Sequence, residues 1–359
     1  MLNLIINTYM KKNLFFLLTA ALCFFACSED DAVTPPPSIK GTTPRYLTAH
    51  DGKVYVTLFS GAVARIDTLS LDVEATVAVG RNPEQIAVSG GRLFVANSGG
   101  LDWNTEVGYD KSVSVIDIAS FTEEKKIPVV INPAEIIAAD DALYLISSGN
   151  YVDVPAALQK IDAASGEVTT LPQTMSTMCY LGGRIYGMLS VYEVYDGAWI
   201  PTISYSSYDV AIGEFASPWI TDGTQLASPY KLFQAGNYVA VSESDYVNDG
   251  TVNLFSPDGV KVASFVAGIS PRKGAAVGDF MFVLNEGLSG YNNSSLTKFD
   301  VAAGAVVDKE YFKAVNGFAI GDTANDILLY GGKMYIAVAT DNIIWVTDLD
   351  AKVIDKILF

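Results

Sequence analysis

Seven times between Pro44 and the C-terminus the chain repeats one apolar rhythm, with a period of roughly 45 residues. A repeat of that length built only of strand-sized segments implies a β-propeller. The clearest copy runs from Pro83 through Ile86, a Gly90-Gly91 pair and Leu93-Phe94-Val95, then a loop, Ser112 to Asp117, and Lys125 to Val129. Each copy thus holds four strand-sized segments. Anchored at Pro44, Pro83, Pro133, Met175, Pro229, Pro271 and Ala324, six copies carry an apolar residue three positions on: Leu47, Ile86, Ile136, Met178, Leu232 and Ile327. Gly274 is the exception. A turn pair follows in every copy, among them Asp51-Gly52, Gly182-Gly183 and Gly331-Gly332, and these residues tolerate the positive φ of tight hairpins. Eleven positions from the anchor stands an aromatic (Tyr55, Phe94, Tyr144, Tyr186, Phe282, Tyr335), with Ala240 the odd one. Copy four departs further, with Met175 in place of proline and Gly187 after its aromatic, so blade geometry is expected to differ at copies four and six.

The fold predicted is therefore all-β, a seven-bladed propeller of four-stranded blades over residues 44–359. The repeat runs through without a break in composition, which favours one domain despite a length of 359 residues. The chain has 23 basic against 40 acidic residues, a net charge of −17. Phosphate neutralisation needs clustered Lys and Arg, and no such stripe exists, so a nucleic-acid partner is excluded.

Residues 1–26 read as a signal peptide: Lys11-Lys12, the apolar run from Leu14 to Ala26, then Cys27. The run is short for a membrane span. Phe24-Phe25-Ala26-Cys27 resembles a bacterial lipobox, which implies lipidation at Cys27, and Ser28-Glu-Asp-Asp31 is similar to the acidic export signal of surface lipoproteins in Bacteroidota. Residues 27–43, with Pro35-Pro36-Pro37, form an extended tether. The expected location is the outer membrane, lipid-anchored and facing outward. With Cys23 in the signal and Cys27 modified, Cys179 is left alone as a buried structural thiol, and no disulfide can form.

In a four-stranded blade the A–B and C–D turns share one face, while the B–C loops and the blade-to-blade connections share the other. The C–D turns, such as Asp117 to Ser120 and Asp162 to Gly166, are short and polar, and their Asp and Ser residues read as turn formers. Five B–C loops are long and aromatic. Residues 97–111 carry Trp103 and Tyr109, 147–156 carry Tyr151, and 191–201 carry Tyr192, Tyr195 and Trp199; two more carry Tyr246 and Tyr291. Connections entering on the same face bring Arg45, Arg81 and Arg272. Such a ring suits a neutral, amphipathic ligand with broad faces, a sugar or a macrocycle, because Tyr and Trp combine apolar area with a polar handle. Packing among the aromatics to order the loops is the competing role.

The lone histidine, His50, stands on the opposite face, so Ser-His-Asp, Cys-His and His/Cys zinc chemistry have no inventory at the loops. No catalytic residue, metal site or cofactor is assigned. Asp245-Tyr-Val-Asn248-Asp249-Gly250 lacks the ligand spacing of a calcium loop and reads as a turn. Loop carboxylates Asp102, Glu106, Asp110, Glu193, Asp196 and Glu243 would be the acid and base of any lyase or glycosidase. Asp67-Thr68-Leu69 and Asp322-Thr323-Ala324 resemble the O-glycosylation sequon of Bacteroidota, and turn chemistry accounts for them equally well.

Residues 86–97 (Ile-Ala-Val-Ser-Gly-Gly-Arg-Leu-Phe-Val-Ala-Asn) with Ser112 to Asp117 resemble the YncE-like, surface-layer-like seven-bladed propellers. Taken with the Cys27-Ser-Glu-Asp-Asp31 start, the resemblance extends to propeller lipoproteins of Bacteroidota, among them the BtuG type. It implies a non-enzymatic surface protein that captures a bulky nutrient, cobalamin or another corrinoid as ligand rather than cofactor, for an outer-membrane transporter. A glycan-binding lipoprotein and a carboxylate-dependent enzyme are the alternative readings.

Overall fold

The computed structural model describes residues 41–359 except 196 and 197, and no side chain of residues 192–200. The signal peptide, Cys27 and residues 27–40 of the tether lie outside the described residues. Among the described residues twenty-eight strands form seven antiparallel four-stranded sheets, each from four consecutive strands, at residues 44–78, 83–128, 133–170, 177–216, 229–269, 271–308 and 324–358. The first strand of every blade packs on the first strands of both neighbours around the whole ring. These A strands therefore line the axis of a seven-bladed β-propeller, and the D strands face outward.

The turns follow the expected chemistry. Both central residues have positive φ in four A–B turns: Asp51 and Gly52 (50° and 75°), Gly90 and Gly91 (54° and 74°), Gly182 and Gly183 (59° and 84°), Gly331 and Gly332 (56° and 74°). That is the type I′ geometry whose twist matches the strands. At the C–D turns one device recurs: Asp67, Asp117, Asp162, Asp209, Asp300 and Asp348 each accept backbone N–H groups two to four residues on.

The core is seven apolar clusters, one at each seam between blades. Within a cluster the aromatic eleven positions from the anchor meets the apolar third position of the next blade: Tyr55 with Ile86, Phe94 with Ile136, Tyr144 with Met178, Tyr186 with Leu232, Phe282 with Ile327, and Tyr335 with Leu47. The seventh seam, between blades five and six, would join Ala240 to Gly274, the two exceptions in the sequence. They are one exception. Phe233 lies directly across the sheet from Ala240, whereas blades two and six pair a strand-A alanine with a strand-B phenylalanine, Ala87 with Phe94 and Ala275 with Phe282. Large and small have exchanged strands. A Cβ on Gly274 would come within 2.7 Å of the Phe233 ring, so the displaced ring needs the glycine. Phe265 and Phe299, stacked 3.9 Å apart, complete that seam.

Copy four has the same logic. A Cβ on Gly187 would collide with the sulfur of fully buried Met175, so the methionine at the anchor and the glycine opposite are complementary. The expected loop at 191–201 is also different: strands Arg184–Tyr195 and Ala198–Asp209 stay paired to Tyr195 and Ala198. Its alternating Val, Tyr, Ile and Trp residues favour strand pairing over a loop. One element went unanticipated, a short helix Tyr311–Asn316 that buries Phe312 in the seam of blades six and seven.

The ring closes without strand exchange. Thr43 N–H donates to Asn342 Oδ1 at 2.6 Å, and Gly52 N–H to the Tyr330 hydroxyl at 2.7 Å. The first and last blades thus meet as the other neighbours do.

Two outcomes are expected. Gly274→Ala should lower stability by about 1–3 kcal/mol through overpacking, with a Phe233→Leu background absorbing part of the loss in a double-mutant cycle read by urea denaturation. The backbone donors hold the Asp117 and Asp162 carboxyls below the usual carboxylate range, and the Lys53 ammonium does the same, with backbone donors, for Asp67. A depressed carboxyl contributes stability that is complete above the unfolded pKa, about 4, and is lost as pH falls toward the folded value. Melting temperature should therefore fall below about pH 4, and less steeply when all three are changed to Asn.

Candidate functional site

Two features occupy the loop face and the axis behind it. On the loop face, Trp103, Tyr151, Tyr246 and Tyr291 leave 65%, 77%, 57% and 72% of their surface exposed. Two of these tyrosines are presented by one device. In blade three, Asn150-Tyr-Val-Asp153 has Asn150 Oδ1 accepting from the N–H groups of Val152, Asp153 and Val154, while Asn150 Nδ2 donates to Asp153 Oδ1 at 2.6 Å. In blade five, Asp245-Tyr-Val-Asn248 has Asp245 Oδ1 accepting from Val247 and Asn248, while Asn248 Nδ2 donates to Asp245 Oδ2 at 2.7 Å. The Asp245 carboxyl is held at about 2 by the Asn248 and Val247 donors. Both tyrosines sit in the left-handed region, Tyr151 at φ 59° and Tyr246 at φ 64°, and both following valines are exposed. An aromatic residue there carries roughly 1–2 kcal/mol of strain. The Asx turn over-determines the loop and keeps the ring displayed. This recurring tetrad was readable in the sequence, as Asx-Tyr-Val-Asx at equivalent places in two copies.

The other predicted residues divide. Tyr109 is half-buried, and burial, with Tyr151 beside it, pushes its hydroxyl pKa up. Tyr246 packs edge-on to Tyr230, with centroids 5.3 Å apart. Tyr192, Tyr195 and Trp199 lie in the blade-four hairpin, and their side chains fall outside the described residues. The arginines are internal braces. Arg81 binds Asp102 and the Gly108 carbonyl, folding loop 98–111 over its own blade. Arg45 pairs with Glu84 at 2.8 Å and lies 4.7 Å over the Phe59 ring.

Loop carboxylates are engaged in the same way. Asp110 accepts from Arg81 N, Lys111 N and Ser112 Oγ, and Glu243 accepts from Ala227 N, Ser228 N and Asn253 Nδ2. Glu106 is exposed, and the side chains of Glu193 and Asp196 lie outside the described residues. Among the described residues no three His, Cys, Asp or Glu side chains cluster as metal ligands. Thr68 is buried with its hydroxyl donating to Gly52 O, and Thr323 Oγ donates to Asp322 Oδ1, so both sequon-like threonines serve turns. Cys179 is buried, and burial raises its thiol pKa well above the usual range.

Behind the rim, the A strands enclose an axial cavity of about 510 Å³. In six of the seven blades strand A bulges just after its anchor. The second position after the anchor faces the axis and is polar in all seven copies: Tyr46, Gln85, Glu135, Thr177, Lys231, Lys273 and Asp326. Three of these accept a backbone N–H of the next blade: Gln85 from Ile136 N, Glu135 from Met178 N and Asp326 from Leu47 N, each at 2.9–3.0 Å. That polar stripe also stands in the sequence, two places from each anchor. Arg272, at the cavity wall, pairs with Glu286 at 2.6 Å and donates to the Tyr46 hydroxyl at 2.8 Å. Burial alone would raise the Glu286 carboxyl, but the Arg272 guanidinium outweighs it and holds the group below its usual range.

No family model matches the chain, and no curated protein matches it. Solved structures do. Kuenenia stuttgartiensis hydrazine synthase is 16% identical with a TM-score of 0.61, covering 88% of this chain and 98% of that one. The dihydro-heme d1 dehydrogenase NirN, in complex with DHE, is 12% identical with a TM-score of 0.54, over 88% of this chain and 66% of that one. BamB from Moraxella catarrhalis is 12% identical with a TM-score of 0.52, over 84% and 96%. At these identities the likeness is one of fold, and its bearers range from a synthase and a dehydrogenase to BamB.

Arg272→Met should cost about 3–5 kcal/mol in urea denaturation, because it strands the Glu286 carboxylate in a largely buried site. Arg272→Lys should recover only part of that loss, since one ammonium cannot reproduce the planar fork that serves Glu286 and Tyr46 together.

Proposed function

We propose that the loop face captures a broad, amphipathic small molecule and that the protein works by binding rather than by chemistry. The observation that carries this reading is the pair of Asx-braced tetrads that hold Tyr151 and Tyr246 exposed and in left-handed backbone. Strain at Tyr151, 77% exposed, adds little to the fold, and it persists where a fixed display serves another purpose. A preorganised rim spends little on ordering when ligand arrives, and nanomolar capture corresponds to about −12 kcal/mol. Engagement of Asp102, Asp110 and Glu243 as loop braces favours binding over acid-base catalysis.

The ligand class proposed is a corrinoid, cobalamin first, whose broad ring would meet several rim aromatics at once. The resemblance of residues 86–97 and 112–117 to YncE-like propellers, with the lipobox-like Cys27 and its acidic run, supports a lipid-anchored outer-membrane protein that hands ligand to a transporter. In this reading Cys27 carries the anchor and residues 28–43 hold the ring away from the membrane.

Cyanocobalamin or cobinamide should raise the melting temperature, as mass action requires of any ligand that prefers the folded state. Tyr151→Ala with Tyr246→Ala should weaken binding at least tenfold. Tyr151→Gly should weaken it as well while leaving ligand-free stability equal or higher by up to about 1 kcal/mol, since glycine relieves the positive φ. No shift at roughly 100-fold excess over a nanomolar Kd would overturn the corrinoid reading, and a shift with oligosaccharides instead would transfer the rim to glycan capture.

A further inference from the structure

We infer that blade five carries a self-pairing edge: its outer strand, Lys261–Ile269, joins the same strand of a second copy of this chain, antiparallel and centred on Ser264. Each outer strand of the ring has a hydrogen-bonded neighbour on one side only, and such an edge invites a further strand unless something blunts it. Six of the seven are blunted in ways the sequence shows. Three are only three or four residues long, Val168–Thr170, Glu214–Ala216 and Ala305–Asp308. The other three carry charge or proline within the strand: Glu74 in Val73–Ala78, Glu123 to Lys126 and Pro128 in Thr122–Pro128, and Asp355 with Lys356 in Val353–Leu358. Lys261–Ile269 has nine residues, and after Lys261 none is charged and none is proline. The outer strands of blades four and six, on either side of it, are two of the short ones, which keeps its outward side clear of flanking strands.

Two contacts fix how much of this edge is open. At its start Asp222 Oδ2 accepts the Lys261 N–H at 2.8 Å. Toward its end Ala267 and Gly268 are buried against blade six, where a Cβ on Gly268 would meet Ser295 and Asn285. What remains is residues 262–266, in which Ala263 and Phe265 pack into the blade-six seam while Val262, Ser264 and Val266 are exposed, the valines to 51% and 49%. An antiparallel pair related by a twofold axis at Ser264 sets Val262 opposite Val266 of the second copy and Val266 opposite its Val262, with the small serines meeting at the centre. Residues 262, 264 and 266 share one side of the strand, so both valine pairs form on the same face and leave water together. The open stretch is thus complementary to itself, and this selects a second copy as its occupant. A five-residue pairing lies at the small end of interfaces, so the dimer is weak. The net charge of −17 on each copy opposes it through repulsion that salt screens.

The test is sedimentation velocity of the purified full chain, under reducing conditions, from about 10 µM to about 0.5 mM. A monomer–dimer equilibrium that stops at the dimer is expected, because pairing uses the one open edge of each copy, and added salt should strengthen it. Val262→Lys should weaken it at least tenfold with the melting temperature unchanged, since it puts a charge at a half-exposed position of the edge. In a Cys23→Ser, Cys27→Ser background, Ser264→Cys should give an oxidised dimer, because directly opposite residues bring their Cα atoms within disulfide reach. Val262→Cys and Val266→Cys should cross-link when mixed and not when oxidised separately. The Tyr151→Ala, Tyr246→Ala rim variant should dimerise as the parent does, so failure of capture at the rim and failure of pairing at the edge are distinguishable. The inference is overturned by a monomer at every concentration, which would leave the edge to a strand of another protein, by a dimer that Val262→Lys leaves intact, or by Val262→Cys cross-linking with itself as readily as with Val266→Cys.

Discussion

Everything in this ring depends on burying both faces of each sheet against the neighbouring blade. A four-stranded sheet alone would leave apolar residues on both faces in water, at roughly 25 cal/mol per Å². Six of the seven seams solve that problem with one contact repeated, a strand-B aromatic of one blade against the third residue of the next, and the seventh uses Phe233 on strand A instead. Because the contact joins neighbours, a change on one side is answered on the other. Phe233, Ala240 and Gly274 show such an answer, as do Met175 and Gly187. The seam between the last and first blades is built the same way, and so the ring closes on side-chain packing with no exchanged strand.

With stability concentrated in the seams, the axis and the loop face are free to be imperfect. Bulges in six A strands release backbone N–H groups, of which the polar second position of the preceding blade takes up those of Leu47 and Ile136, and Glu135 takes up that of Met178 in blade four, whose strand A has no bulge. That arrangement leaves a cavity whose wall is polar, with Lys231, Arg272 and Lys273 each paired to a carboxylate. At the rim, left-handed tyrosines are tolerated because Asx turns and the Arg81 brace fix the loops locally.

How much was legible differs by element. The seven copies, the type I′ turns and the buried aromatics follow from residue type and spacing, since hairpin twist and alternation are local rules. The exposed Trp103, Tyr151, Tyr246 and Tyr291 also followed from loop length and composition. The pairing of Arg45, Arg81 and Arg272 did not: their partners Glu84, Asp102 and Glu286 lie 39, 21 and 14 residues away, and only the folded loops decide whether an arginine faces a ligand or a carboxylate. Residues 191–201 form a paired hairpin rather than a loop, and aromatic content alone does not separate a displayed loop from a paired strand.

By itself the sequence determined a seven-bladed ring, because its apolar period can be buried only by blade stacking on blade. It also determined where the A–B hairpins would turn, since Gly, Asn and Asp tolerate positive φ better than other residues. Tertiary structure alone decided that two apparent defects in distant copies, Ala240 and Gly274, are one repacked seam. It alone decided, too, that seven polar residues some 45 positions apart in the repeat share an axis. Those facts depend on distances between segments that only closure of the ring brings together, and no local rule of residue type can supply them.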